Sequence, residues 1–417
     1  MLKNILKVLF GNVFSKLYPF LVINLLSIYI DTGAVGVYAF YITITTVSIA
    51  FITGGIAPIL VRYLAVDSEE SNIPKIQILD VSIFFATVLT LLVSIILALF
   101  GDNWLNFSAT KDIKFFIIFI ILTIIGLVIS TLTKSAMVGL REYNKLVGLD
   151  LFLTIVSMLG LIFTYIISGF SNVKYFLQLS TILALLNGLV SFIYFLAIRR
   201  IYYLPYKIKT SSIIRLFHFG WPALLSALMF SPVLLLGKFL LEKNHGLEAV
   251  GQFELAFQWA TMLLIVTGVI SSLALPDMAS LVNHKPKMEV MYKKYLKINI
   301  VISLILSFLV FVFFYINRNG WINFFPAAKE ISYLLLLLVL ITALLISIWS
   351  VQTKVCAAFE QQLSVTKINS IWIIICVILM ALVTPVYGVL GMMFSITISW
   401  CILIGVFFVW NKRFFKS

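Results

Sequence analysis

The residues able to do chemistry in this chain are polar or charged groups set inside long apolar runs. Lys16 is the deepest of them. It falls roughly nine residues into the first apolar segment, about 13 Å along a helix. On a helical wheel Ser15, Lys16, Pro19 and Ser27 lie within about 60° of Asn12, with Asn24 at about 120° on the same half. An ionisable group at that depth is costly unless it faces a polar lumen, and the competing account is a lysine stem snorkelling to the headgroups. Lys134 and Lys354 stand at matching places in two halves of the chain, and both could be cation donors at one mouth of a cavity or plain anchoring charges. Lys238 offers a third cation, with Glu242 four residues on as a local ion-pair partner. Glu254, Gln258 and Thr261 share one helical face at i, i+4 and i+7, so Glu254 can take a coupling proton or accept hydrogen bonds, or serve as an interfacial carboxylate. Asp31 and Arg62 end the first and second segments and suit either a site or the interface. Pro19, Pro222 and Pro232 remove backbone hydrogen bonds and are hinge candidates.

These groups need elements that cross a membrane. Of the 417 residues 62% are hydrophobic and 11% charged, too little polar surface for a soluble domain of this size. Backbone groups in a bilayer must be satisfied internally, and the apolar runs are continuous rather than alternating, so helices are expected and a barrel is not. Spans of roughly 20 residues fit at about 8–30, 37–61, 78–100, 113–138, 147–168, 174–198, 213–241, 249–274, 293–316, 330–355, 365–384 and 388–410. The longest polar stretches are 62–77, 199–212 and 275–292. The first segment has no small-residue cleavage pattern after it and reads as a retained helix. With the N-terminus inside, 22 of the 30 basic residues fall on the cytoplasmic side and seven outside, which orients both termini to the cytoplasm. The net charge of +14 is therefore assigned to the bilayer and not to nucleic acid.

The three cysteines are core residues, and the three histidines have no ligand spacing, so neither metal nor disulfide is expected. The longest outer loop, about 101–112, carries Asp102 and Asp112 and no histidine, which argues against a membrane polymerase or ligase needing acid–base groups.

The chain also repeats itself. Ala34-Val35-Gly36 matches Ala249-Val250-Gly251, Thr133-Lys134 matches Thr353-Lys354, and Phe10-Gly11 matches Phe219-Gly220, in the same order. The pattern predicts an all-α integral membrane protein of about twelve helices, as two pseudo-symmetric six-helix bundles: 1–200, a cytoplasmic linker 201–212, and 213–417.

Four stretches resemble the Wzx-type polysaccharide (O-antigen) flippases of the multidrug/oligosaccharidyl-lipid/polysaccharide exporter superfamily: 31–65, 135–152, 249–281 and 384–399, within an end-to-end match of helix count and loop length. The resemblance implies two bundles around a central cavity and alternating access. Its implied cargo is an undecaprenyl-pyrophosphate-linked sugar repeat, carried from the inner to the outer leaflet of a bacterial cytoplasmic membrane for lipopolysaccharide or capsule synthesis. Membrane lipid and the polysaccharide polymerase machinery are the implied partners. No cofactor is expected beyond coupling to protons or sodium. On this view Lys16, Asn12, Asn24, Lys134, Lys354, Lys238, Arg62 and Gln258 are substrate-binding candidates, and Glu254 and Asp31 are ion-coupling candidates. Asp31 resembles the first-helix aspartate of drug exporters in the same superfamily. A drug or cation antiporter is the alternative, favoured by membrane carboxylates and opposed by a deepest charge that is basic.

Overall fold

The structure is a computed structural model that describes residues 18–65, 74–104, 113–140, 142–169, 172–201, 210–279, 284–319, 331–358 and 362–416. Lys16 and Asn12 lie outside the described residues, as does most of the 201–212 linker. Among the described residues the protein is helical and has no strand. The elements are α1 (Tyr18–Tyr29), then α2 (Thr32–Thr53), α3 (Ile56–Ala65), α4 (Lys75–Trp104), α5 (Ile113–Gly139), α6 (Tyr143–Ser168) and α7 (Val173–Ile201). They continue with α8 (Thr210–Ala227), α9 (Ser231–Ala279), α10 (Lys285–Arg318), α11 (Tyr333–Ala358) and α12 (Gln362–Lys416).

Two of these are helical hairpins. α9 turns at Gly246 (φ 79°, ψ 177°) and α12 at Gly388 (φ 58°, ψ −132°), backbone that a side chain with a Cβ rarely adopts. The second span is α2 with α3, broken at Gly54–Gly55. The seventh is α8 with the first limb of α9, broken at 228–230 just before Pro232. Counted this way the described residues form about twelve membrane spans. α10 starts at Lys285, inside the expected 275–292 polar stretch, because Met288 and Tyr292 are buried against Ala274 and Met278 of α9 and Val351 and Val355 of α11. That apolar face makes the polar stretch a helix.

The chain forms two compact units, one of residues 40–232 and one of 1–39 with 233–417. Their boundaries fall inside the second and seventh spans. In the 40–232 unit α5 packs most closely on α7, and α3 on α5. Hydroxyl and amide groups pin the α5–α7 seam: Tyr41 Oη meets Thr123 Oγ1 at 2.5 Å and Thr181 Oγ1 at 3.1 Å, and Ser130 Oγ donates to Asn187 Oδ1 at 2.8 Å. Such bonds satisfy groups that lipid would leave orphaned. In the other unit α11 packs on α12 and α10. Asn299 donates to the Ser347 carbonyl at 2.7 Å, and Ser303 to the Ser347 hydroxyl at 2.8 Å. The two hairpin turns of this unit meet at His245, whose Nε2 lies 3.1 Å from the carbonyls of both Thr384 and Pro385.

Candidate functional site

The unit of 1–39 and 233–417 brings the two limbs of α9 against the start of α2. The repeated Ala-Val-Gly segments are the contact. A Cβ on Gly36 would stand 2.2 Å from the Leu247 carbonyl oxygen, and one on Gly251 would stand 1.9 Å from that of Thr32. Each glycine faces the carbonyl four residues before the other, so the contact is reciprocal and the two copies of the repeat pack on each other. Only glycine allows backbones this close.

One and a half turns beyond this crossing is a buried charge cluster. Lys238, on the first limb of α9, extends Nζ to 2.6 Å from Glu254 Oε2 on the second limb. The side chains are 4% and 7% exposed. The same ammonium donates to the Ala39 carbonyl of α2 at 3.4 Å and stands 6.0 Å from the Phe253 ring centre. Gln258 Nε2 donates to the other carboxylate oxygen, Glu254 Oε1, at 2.7 Å. The partner of Lys238 is therefore Glu254 and not Glu242 at i+4, because the hairpin at Gly246 folds the second limb back beside the first. A desolvated ion pair is favourable only with such extra hydrogen bonds. Three helical segments converge on one cation–carboxylate–amide array, which can exchange the carboxylate for another anion or move a proton at Glu254. α1 borders the same unit through Phe20, whose ring meets Trp259 edge-on at 5.4 Å, one residue past Gln258.

The remaining candidates sit elsewhere. Asn24 is buried in α1 and donates to the Phe20 carbonyl at 2.7 Å. Asp31 caps α2, its Oδ1 accepting from the Ala34 N–H at 2.6 Å. Arg62 is exposed at the end of α3. Lys134 pairs with Asp150 Oδ1 of α6 at 2.7 Å, a partner that only the fold supplies. Lys354 is half-buried on α11 with no ion-pair partner among the described residues. Pro19 lies in α1, Pro222 inside α8, and Pro232 at the second residue of α9, where its missing N–H costs nothing. Sequence reasoning missed Asp150 and the Tyr41–Thr123–Thr181 hydroxyl cluster, whose threonines are isolated polar residues in apolar runs. Three cavities of the 40–232 unit are lined mainly by apolar side chains. The one between α6 and α7, about 770 Å³, is lined by Leu159, Phe163, Ile167 and Leu183 and offers no charged group.

The fold is one that transporters of known structure share. It superposes on an outward-facing multidrug resistance MATE family transporter of the MOP superfamily, with a TM-score of 0.72, 15% identity, and 99% of this chain and 96% of that one covered. The inward-facing conformation of such a transporter matches with a TM-score of 0.71, 12% identity, and 99% and 94% coverage. A MOP superfamily transporter from Pyrococcus furiosus, described as having a binding pocket of reverse polarity, matches with a TM-score of 0.71, 14% identity, and 99% and 96% coverage. No curated protein sequence matches the chain. The model of the polysaccharide biosynthesis protein family matches residues 1–282, and the chain belongs to that family. It is thus a multi-pass membrane protein of polysaccharide biosynthesis built on a transporter fold.

Proposed function

We propose that this protein is a flippase that carries a polyprenyl-pyrophosphate-linked oligosaccharide from the inner to the outer leaflet. Its product would feed O-antigen or capsule assembly at a bacterial cytoplasmic membrane, with both termini cytoplasmic. The observation that carries this reading is the buried Lys238–Glu254–Gln258 array in a chain of the polysaccharide biosynthesis family. In the conformer described here Glu254 neutralises the Lys238 ammonium. An arriving phosphate can take the place of the carboxylate on Lys238, leaving Glu254 to bind a proton or, with Gln258, to hydrogen-bond sugar hydroxyls. That exchange would couple substrate charge to proton movement, with sodium as the other coupling ion. The Gly36–Gly251 contact supports alternating access, since it closes one end of the α2 and α9 segments and would open as they part. Lys16 and Lys354 are proposed to extend the cationic path and Asn12 to add a neutral hydrogen-bonding group, and the duplicated Ala-Val-Gly and Thr-Lys motifs support two six-helix halves.

The test replaces Lys238 by Ala, and separately by Arg, in cells that depend on this protein for surface polysaccharide. Export should fail with Lys238→Ala at normal protein levels and recover in part with Lys238→Arg. Full export by a well-expressed Lys238→Ala protein would remove the array from the mechanism. A multidrug or cation antiporter is the second reading, favoured by the MATE-type fold over 99% of the chain. It requires that deletion change drug susceptibility and leave surface polysaccharide intact.

A further inference from the structure

α10 is longer than a membrane requires. Its 34 residues extend about 51 Å, against a hydrocarbon core of about 30 Å. The stretch 298–317 has no charged side chain, is bounded by Lys297 and Arg318, and alone spans roughly 30 Å. Residues 285–297 therefore project beyond the core as a continuation of the same rigid helix.

This projection has two faces. Met288, Tyr292 and Asn299 are buried, and Met288 and Tyr292 pack on Ala274, Met278, Val351 and Val355. Measured from Met288 at 100° per residue, Lys293, Lys297 and Lys294 fall at about 140°, 180° and 240°, on the side away from that packing. The Lys293 side chain is 69% exposed, and Lys294 and Lys297 are also exposed. Val290 lies among them, itself 69% exposed. Among the described residues one acid faces the group, Glu289, which pairs with Lys293 at 2.7 Å.

Depth selects the ligand. Lys297, Lys294 and Lys293 stand within about 8 Å of the end of the apolar stretch, inside the headgroup layer and one Debye length. Lys287 and Lys285 are about 17–20 Å out and beyond it. From these positions we infer that Lys293, Lys294 and Lys297 form a docking face for the headgroups of anionic phospholipids in the leaflet from which α10 projects. The ammonium groups bind lipid phosphate. The docked apolar face holds the lysines at a fixed height, so the site collects anionic lipid around this edge of the protein. The flippase reading is not needed for this site.

The test uses the full-length protein in vesicles of phosphatidylcholine containing a minority of phosphatidylglycerol. Either lipid carries a photoreactive headgroup in parallel samples, and the 285–298 peptide is read by mass spectrometry. The phosphatidylglycerol probe should label this peptide in preference to the phosphatidylcholine probe, and high salt should erase the preference. Each lysine near an anionic surface contributes about fivefold, so K293Q/K294Q/K297Q should lose at least tenfold of it while melting as the parent does. Glu289→Gln frees Lys293 and should raise labelling. Equal labelling by both probes, or a preference that survives the triple substitution, overturns the site. So does preferential crosslinking of this peptide to an acidic protein in native membranes.

Discussion

Substituting alanine for Gly251 places a Cβ 1.9 Å from the Thr32 carbonyl oxygen, and for Gly36 one 2.2 Å from that of Leu247. Ordinary contact begins near 3.4 Å, so α2 and α9 must separate there by about 1.5 Å and 1.2 Å. Neither obstacle is a side chain that could swing away. Helix propensity pulls the other way, since alanine is favoured over glycine by about 1 kcal/mol. Overpacking costs about 1–3 kcal/mol. If the contact exists in one conformer and not another, that cost shifts the population about 5- to 150-fold toward the separated state. A cysteine at Val250, fully buried beside the contact, reports the separation. In a background lacking the native cysteines, Gly36→Ala should raise its labelling by a membrane-impermeant maleimide by that factor and lower the melting temperature modestly. The double substitution should add little, because one separation relieves both clashes. A lowered melting temperature with unchanged labelling would falsify the gating role and leave the glycines as static packing.

The Lys238–Glu254 pair should behave as a buried ion pair: Lys238→Met or Glu254→Leu alone costs about 3–5 kcal/mol, and the double substitution is near neutral, read by thermal melting in detergent. If the singles cost under about 1 kcal/mol, the pair is hydrated and its displacement by phosphate loses its rationale. Asp150→Asn, which removes the partner of the one-third-exposed Lys134, should change stability by no more than about 1 kcal/mol while export is unaffected. A large export defect would move Lys134 into the transport path. Gly388→Ala forces a Cβ into φ 58° beside the His245 ring and should cost about 1–2 kcal/mol, measured against Gly405→Ala, where nothing lies within 4 Å.

The spans were legible because lipid imposes one rule on every stretch of backbone, and a long run of apolar residues without charges has one solution. What the rule does not reach is where a span bends or overshoots. The break at Gly54–Gly55 carries a local signal in its paired glycines and the one at 228–230 little beyond the Ser231-Pro232 that follows, while the early start of α10 depends on Met288 and Tyr292 finding α9 and α11. Those partners are distant in sequence, and single-chain periodicity cannot supply them.

The charged residues show the same limit more sharply. Glu254 and Gln258 were placed on one face by their spacing, because i and i+4 is a property of the helix itself. The identity of Lys238's partner was not, since the i+4 rule offers Glu242 and the tertiary fold offers Glu254. The fold wins for an electrostatic reason. Glu242 lies on the same limb, where it is only half-buried. Glu254 is carried by the hairpin at Gly246 into the buried interior, where an unpaired ammonium would be untenable. Lys134, one-third exposed, also has a partner that the fold brings to it, Asp150, though without the same penalty for leaving it unpaired. In a chain this poor in charge, each buried lysine selects a carboxylate that the topology brings to it, so the useful sequence signal is the scarcity of acids within the spans. Lys354 has no such acid beside it among the described residues, and on the proposed function its countercharge is the anionic cargo. Lys354→Ala should therefore leave the melting temperature unchanged or raise it, by removing a half-buried charge, while weakening export. A drop in stability comparable to that of Lys238→Met would mean that a protein group already neutralises Lys354, and that it is not waiting for an anionic cargo.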